Sequence, residues 1–189
     1  MRLCVLVSGS GTILEAMLSS GLEVAEQAGV EALLVDRGDY GGFTKGFERD
    51  AYSQVLADAL TSRRIDLVAM AGFGTVVTSP LHAAFPGRIL NTHPSLLPEF
   101  KGWHAVAQAL EAGVAESGCT VHVATEALDD GPILAQRRVA VLRDDDEHSL
   151  HERIKNVERV LYPMVVSRVM ASLAEGIEPA SVAQTLEEK

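Results

Sequence analysis

Three short stretches of this chain hold side chains whose types and spacing could do chemistry. Asn91 and His93 stand two apart in Asn91-Thr92-His93-Pro94, directly after an apolar run. In extended chain, residues two apart point the same way. An amide donor and a titratable imidazole on one side suit polarising a carbonyl and handling a proton. Leu128-Asp129-Asp130-Gly131-Pro132 is an acidic turn, and its Asp129 is the carboxylate that could orient or charge His93. Asp-Gly-Pro is equally ordinary turn chemistry and a lone histidine commonly packs, so spacing alone leaves both readings open. The third stretch is Ser8-Gly9-Ser10-Gly11-Thr12, between the apolar run Arg2–Val7 and Ile13-Leu14-Glu15-Ala16-Met17-Leu18. Strand, glycine turn and helix start, with Thr12 as cap, aim backbone N–H groups and a positive helix end at one anion. The dinucleotide fingerprint needs glycine where Leu14 stands, and no Gly-Lys-Ser/Thr loop exists. One phosphate fits better than a dinucleotide or a triphosphate, and a plain glycine turn is the other reading.

The remaining candidates are weaker. His148 and His151 lie near the acidic run Asp144–Glu147, which fits a solvated helix start better than a metal site, so no metal is expected. His82, His104 and His122 have no neighbours in sequence that favour chemistry over packing. Trp103 and Phe100 read as packed loop aromatics.

The elements that must position these groups are legible as apolar patterns. Arg2–Val7, Val30–Val35, Leu67–Ala71, Arg88–Leu90, Cys119–Thr125 and Pro132–Val141 read as strands. Residues 48–62 and 104–112 read as helices. Asp146–Leu161 is the clearest amphipathic one, with Leu150, Ile154, Val157 and Leu161 spaced four, three and four. Pro163 is expected to break or kink it, and the stretch from Gly176 to be peripheral. Unbroken apolar strands alternating with helices predict an α/β fold with a mostly parallel sheet. Ligands in such sheets sit beyond the carboxyl ends of strands, which directs attention to residues 8–13, 72–77, 91–98 and 125–131.

Composition bounds the rest. The 189 residues are 47% hydrophobic and 22% charged, as expected for one globular domain with a full core. Sixteen Lys+Arg against 26 Asp+Glu leave a net charge of −10, which opposes binding of a phosphate backbone, so no nucleic-acid partner is expected. Cys4 and Cys119 cannot make a disulfide framework or a cysteine-rich metal site, and each reads as a buried, inert thiol. The apolar runs are too short for a secretory or membrane-spanning segment, so the expected location is the cytoplasm.

Taken together, VLVSGSGT (5–12), DLVAMAGF (66–73), GRILNTHPSLLPEFKGWHA (87–105), GCTVHVAT (118–125), LDDGPILAQ (128–136) and HERIKNVERVLYP (151–163) resemble the folate-dependent formyltransferases, in particular the phosphoribosylglycinamide branch. The resemblance implies a Rossmann-like sheet with helices on both faces, in one domain over residues 1–189. Its phosphate-binding half would be about 1–90, its catalytic and folate-binding half about 91–175, and its tail 176–189. It implies formyl transfer from 10-formyltetrahydrofolate to the amine of glycinamide ribonucleotide in purine biosynthesis, with Asn91, His93 and Asp129 catalytic. Gly11, Thr12 and Ile13 would take the substrate phosphate, and Glu158 the ribose hydroxyls. Gly74, Thr75, Val76 and Val77, with Thr125, Glu126, Ala127 and Leu128, would line the folate pocket. Leu97-Pro98 would be cis. The implied partners are the two small molecules, with a monomer or homodimer and no membrane. A methionyl-tRNA formyltransferase would carry a further domain, and a formyltetrahydrofolate hydrolase would carry histidine where Pro94 stands.

Three departures bear on the fit. Ile13 stands where the family usually has Asn, which a backbone contact to phosphate would survive. Gly74-Thr75 replaces a frequent Met-Arg whose arginine holds the folate glutamate tail. The stretch between Val35 and Arg49 is shorter, as if an edge strand and a helix had been trimmed. Arg49 of Arg49-Asp50-Ala51-Tyr52 is then the remaining candidate for the tail, and affinity is expected to depend only modestly on the tail carboxylates. Two alternatives stay open: a formyltransferase for another amine, such as an amino-sugar nucleotide, and a non-catalytic folate- or nucleotide-binding regulator.

Overall fold

The computed structural model describes residues 1–7, 31 and 33–182. The glycine turn with Gly11, Thr12 and Ile13, the helix expected after it, and residues 183–189 lie outside the described residues.

Strands β1 (Leu3–Leu6), β2 (Leu67–Met70), β3 (Ile89–His93), β4 (Glu116–Val123) and β5 (Ile133–Ala140) form one sheet in the order β1-β2-β3-β4-β5. The pairs β1–β2 and β2–β3 are parallel, while β4 runs antiparallel to both neighbours, so four of the five strands share a direction. The parallel trio brings its carboxyl ends to one edge.

Helices α1 (Arg49–Ser62) and α2 (Ser79–Ala84) cover one face, α3 (Ala105–Glu111) and α4 (Glu147–Ala174) the other. The strand period divides the core. Leu67, Ala69 and Leu90 pack with Leu150, Ile154 and Leu161 of α4, while Val68, Met70 and Ile89 pack with Leu56, Leu60 and Leu81. Because both faces are covered, β2 reads as an unbroken apolar run rather than an alternating one. Asn91 and His93 therefore face the α1/α2 side and Thr92 faces α4.

Four expectations are revised. First, α4 continues through a buried Pro163 for 28 residues. Proline removes one helix hydrogen bond, at a cost of about 3 kcal/mol. The flanking Tyr162, Val165, Val166 and Val169 are fully buried, and about 1.5–3 kcal/mol for each apolar side chain outweighs that loss. Second, β3 extends past Leu90 to His93, so the Asn-x-His segment is strand rather than exit loop. Third, the described part of Val30–Val35 forms no strand: Leu33 and Leu34 are exposed, and Glu31 instead pairs with Arg63 at 2.7 Å. An apolar run pairs only where a neighbouring strand edge receives it. Fourth, the stretch after Gly176 is not wholly peripheral, since Val182 joins the α4 core and Glu178 pairs with Arg88 at 2.7 Å. Helix α2 has no counterpart in the expected elements, although Ser79-Pro80 at its start is an ordinary helix-opening signal.

Cys4, half-buried, and Cys119, buried, are free, and desolvation pushes their thiols up to about 11 and about 12. Among the described residues, no helix is long and apolar enough to cross a membrane.

Candidate active site

Asn91 and His93 leave the carboxyl end of β3 on one face, and the β3–β4 register sets His122 directly across from Asn91. Tyr162 of α4 donates a hydrogen bond to the Leu90 carbonyl at 3.1 Å, fixing the strand just before that pair. His93 Nε2 donates to the Phe100 carbonyl at 2.8 Å. Its Nδ1 lies 3.4 Å from Asp129 Oδ2, longer than a good hydrogen bond, so imidazole and carboxylate stand side by side without a tight mutual bond. The Asn91 amide nitrogen stands 3.3 Å from His122 Nε2, and His122 Nδ1 lies 3.1 Å from the Val123 carbonyl. That pattern assigns the His122 proton to Nδ1, with Nε2 accepting from Asn91. Burial lowers the His122 pKa, with the Val123 carbonyl and Asp129 opposing, so the ring is neutral near pH 7. Among the described residues the second Asn91 N–H has no partner, which leaves it for a ligand oxygen.

The loop after β3 is held from behind. Leu97-Pro98 is cis, as expected. Thr120 Oγ1 donates to the Ser95 carbonyl at 2.7 Å and accepts from Leu97 N–H at 3.1 Å, and Gln136 Nε2 donates to the Leu97 carbonyl at 2.8 Å. These bonds curve the chain so that the Phe100 carbonyl meets His93.

Asp129 sits at φ 51°, in the left-handed region that Asp tolerates better than most residues. Its Oδ2 accepts from Gly102 N–H at 2.8 Å and its Oδ1 lies 3.6 Å from His122 Nε2. Its neighbour Asp130 pairs with Lys101, tying the two loops together. Gly131 has a steric reason: a Cβ there would lie 1.8 Å from the Val123 carbonyl oxygen. Asp129 and His93 are only 7% and 6% exposed, so their mutual field is weakly screened.

These groups open onto a cleft of about 500 Å³. Gly74, Thr75, Val76, Val77, Thr125 and Leu128 line it, whereas Glu126, Ala127 and Arg49 are not among its lining residues. Glu158 lines it from α4, together with Lys155 and His151. Burial raises the Glu158 pKa, and Thr92, Lys155 and Arg159 oppose the shift. Trp103 is no packed aromatic: it is 63% exposed and lines the cleft. His82 and His104 line it too, as does the buried His122. His122 could have been found from alternation, since Cys119, Val121 and Val123 pack toward α4 and leave 120 and 122 on the opposite face. Among the described residues no group of three or more His, Cys, Asp or Glu could hold a metal ion.

A mostly parallel α/β sheet with an amide, an imidazole and a carboxylate at its carboxyl edge, beside a partly apolar cleft, defines a site for transferring an activated carbonyl group. Comparison with known proteins gives that class a family. The formyl transferase family model matches residues 19–166. Phosphoribosylglycinamide formyltransferase of Mycobacterium tuberculosis is 38% identical over 195 residues, covering 93% of this chain and 86% of the relative. The trifunctional purine biosynthetic protein adenosine-3 of Drosophila melanogaster is 37% identical over 198 residues, and the chain spans only 14% of its length. The crystal structure of glycinamide ribonucleotide transformylase 1 from Symbiobacterium toebii superposes with a TM-score of 0.79 at 40% identity, covering 91% of this chain and 88% of that one. The chain belongs to the formyl transferase family, in its phosphoribosylglycinamide formyltransferase branch.

Proposed function

We propose that this enzyme transfers the formyl group of 10-formyltetrahydrofolate to the primary amine of glycinamide ribonucleotide, as a step of purine biosynthesis. The observation that carries the reading is the convergence of Asn91, His93 and Asp129 on the lining of one cleft, with His93 Nδ1 3.4 Å from Asp129 Oδ2. The amine nitrogen attacks the formyl carbon, forming the new C–N bond and a tetrahedral oxyanion. Asn91 and His93 donate to that oxygen, and one such donor contributes about 3–4 kcal/mol of barrier lowering. Collapse breaks the bond to the folate N10, and the amine proton passes to that nitrogen with Asp129 as the relay, directly or through water. His122 holds Asn91 in its donor orientation. The apolar side chains Phe73, Val76, Val77 and Leu128 in the lining suit the flat pterin ring, and Glu158 with Lys155 suits the ribose hydroxyls. Gly11, Thr12 and Ile13 take the phosphate through backbone N–H groups in this reading. The formyl group arrives already activated by its carrier, so the scheme includes no metal step. We further place the enzyme in the cytoplasm, as a single catalytic domain over residues 1–189, acting as a monomer or homodimer.

The test is a spectrophotometric assay for release of tetrahydrofolate, with glycinamide ribonucleotide and an amino-sugar nucleotide supplied in parallel. Turnover with the first alone supports the reading. Turnover with the second alone would reassign the acceptor, and tight folate binding without turnover on either would make the protein a binding regulator.

A further inference from the structure

Strand β3 and helix α4 are locked together at one residue pair, and the lock brings a hydroxyl level with a buried carboxylate. Tyr162 donates from its phenol to the Leu90 carbonyl at 3.1 Å. Two residues further along β3 stands Thr92, and one turn back along α4 stands Glu158. The two steps are nearly equal, about 6.7 Å for two strand residues and about 6 Å for four helical ones. Strand alternation turns Thr92, like Leu90, toward α4. Glu158 is buried, and both residues line the cleft.

Packing alone does not account for this hydroxyl. Its oxygen is buried and makes no closed hydrogen bond, whereas a valine would fill the same place in a strand without burying a polar atom. The acceptor within its reach is the Glu158 carboxyl, since Thr92 draws that group's pKa down against the burial that raises it. Lys155 and Arg159 on the same helix pull the same way, but their nearest bonds go elsewhere. Lys155 Nζ donates to Glu152 at 2.9 Å and Arg159 Nη1 to Asn156 at 2.8 Å. Tyr162 and, from β4, Cys119 share the field of the carboxyl, and burial keeps both of them neutral near pH 8. Resting on the reading of Glu158 above, we propose that Thr92 is a positioning residue for the transfer reaction, its hydroxyl donating to the Glu158 carboxylate and aiming it at the sugar hydroxyls of the acceptor. One carboxylate oxygen takes the Thr92 O–H, and the other stays open to the ligand. Without that donor the buried group holds its proton more readily and meets the acceptor with a weaker, unaimed acid.

The test compares wild type, Thr92→Val, Thr92→Ser, Glu158→Gln and the double variant Thr92→Val with Glu158→Gln. Thermal melts at pH 8 need no substrate. There Thr92→Val should lower the melting temperature by about 3–5 °C more in the wild-type background than in the Glu158→Gln background, the worth of about one pKa unit at a single carboxylate. In steady state at pH 7.5, Thr92→Val should raise the KM for glycinamide ribonucleotide about tenfold, while kcat and the KM for 10-formyltetrahydrofolate stay within about twofold. The pH at which the acceptor KM climbs on acidification should move up by about one unit. Thr92→Ser, which keeps the hydroxyl, should follow wild type in every arm. Equal melting shifts in the two backgrounds, an unchanged acceptor KM, or a matching rise in both KM values would overturn the proposal. So would a Thr92→Ser protein that behaves like Thr92→Val. Should Thr92→Val not fold, Thr92→Ala takes its place with the same expected outcomes. A wild-type protein that never turns over glycinamide ribonucleotide refutes the acceptor reading, and the melts then still decide whether Thr92 holds Glu158.

Discussion

Replacing Asp129 by Asn changes one charge and almost no volume. At 3.4 Å from His93 Nδ1, an effective dielectric near 20 gives about 5 kcal/mol for the interaction of the carboxylate with a charged imidazole. The amide dipole and entering water keep part of this, leaving a loss of about 3–4 kcal/mol, which is roughly 150- to 900-fold in turnover. The loss of a proton relay falls in the same range of about 10²–10⁴. Folding should be spared, because Asn also tolerates the left-handed backbone at φ 51° and its amide oxygen still accepts from Gly102. The assay is steady-state release of tetrahydrofolate under saturating substrates, beside a thermal melt that should shift by less than about 4 °C. Turnover within tenfold of wild type, with the melt unchanged, would show that the carboxylate is not part of the chemistry.

Three further outcomes follow from buried groups and one close contact. Glu158→Gln should raise the melting temperature at pH 8 by about 2–4 °C, since burial raises this carboxyl above 4.5 and its ionised form costs stability at higher pH. The advantage should shrink as pH falls toward 4.5, while the KM for glycinamide ribonucleotide rises; a variant less stable than wild type at pH 8 would contradict this. Burial lowers His122, His82 and His151 below 6.5, so the unfolded chain binds more protons and stability should fall as pH drops through 6.5. His122→Gln should make that fall shallower in melts between pH 7 and 5, and an identical slope would refute it. Gly131→Ala forces a Cβ against the Val123 carbonyl and should cost about 1–3 kcal/mol of stability together with turnover, as Asp129 moves with the turn; chemical denaturation and the same assay would measure both.

The parts of the fold that were legible in sequence are those where one local pattern meets one environment. β2 is unbroken because both its faces are covered, and α4 shows its apolar stripe beside an Asp146–Ser149 capping box. Asn91, His93 and Asp129 stood out because a turn and a strand end carry recognisable residue types. What escaped depends on partners distant in sequence. His122 matters only through the β3–β4 register. Pro163 misled because the packing of Tyr162, Val165 and Val166 outweighs a missing hydrogen bond. Leu33 and Leu34 misled because apolar residues do not create a strand partner.

The most direct measurement supplies 10-formyltetrahydrofolate labelled with ¹³C in the formyl carbon, plus glycinamide ribonucleotide, and follows the label by NMR. The account predicts that the label appears as a formamide on the ribonucleotide in step with tetrahydrofolate release, and that Asp129→Asn slows both together. Label emerging as free formate, or remaining on the folate while wild-type protein is bound to it, would contradict it.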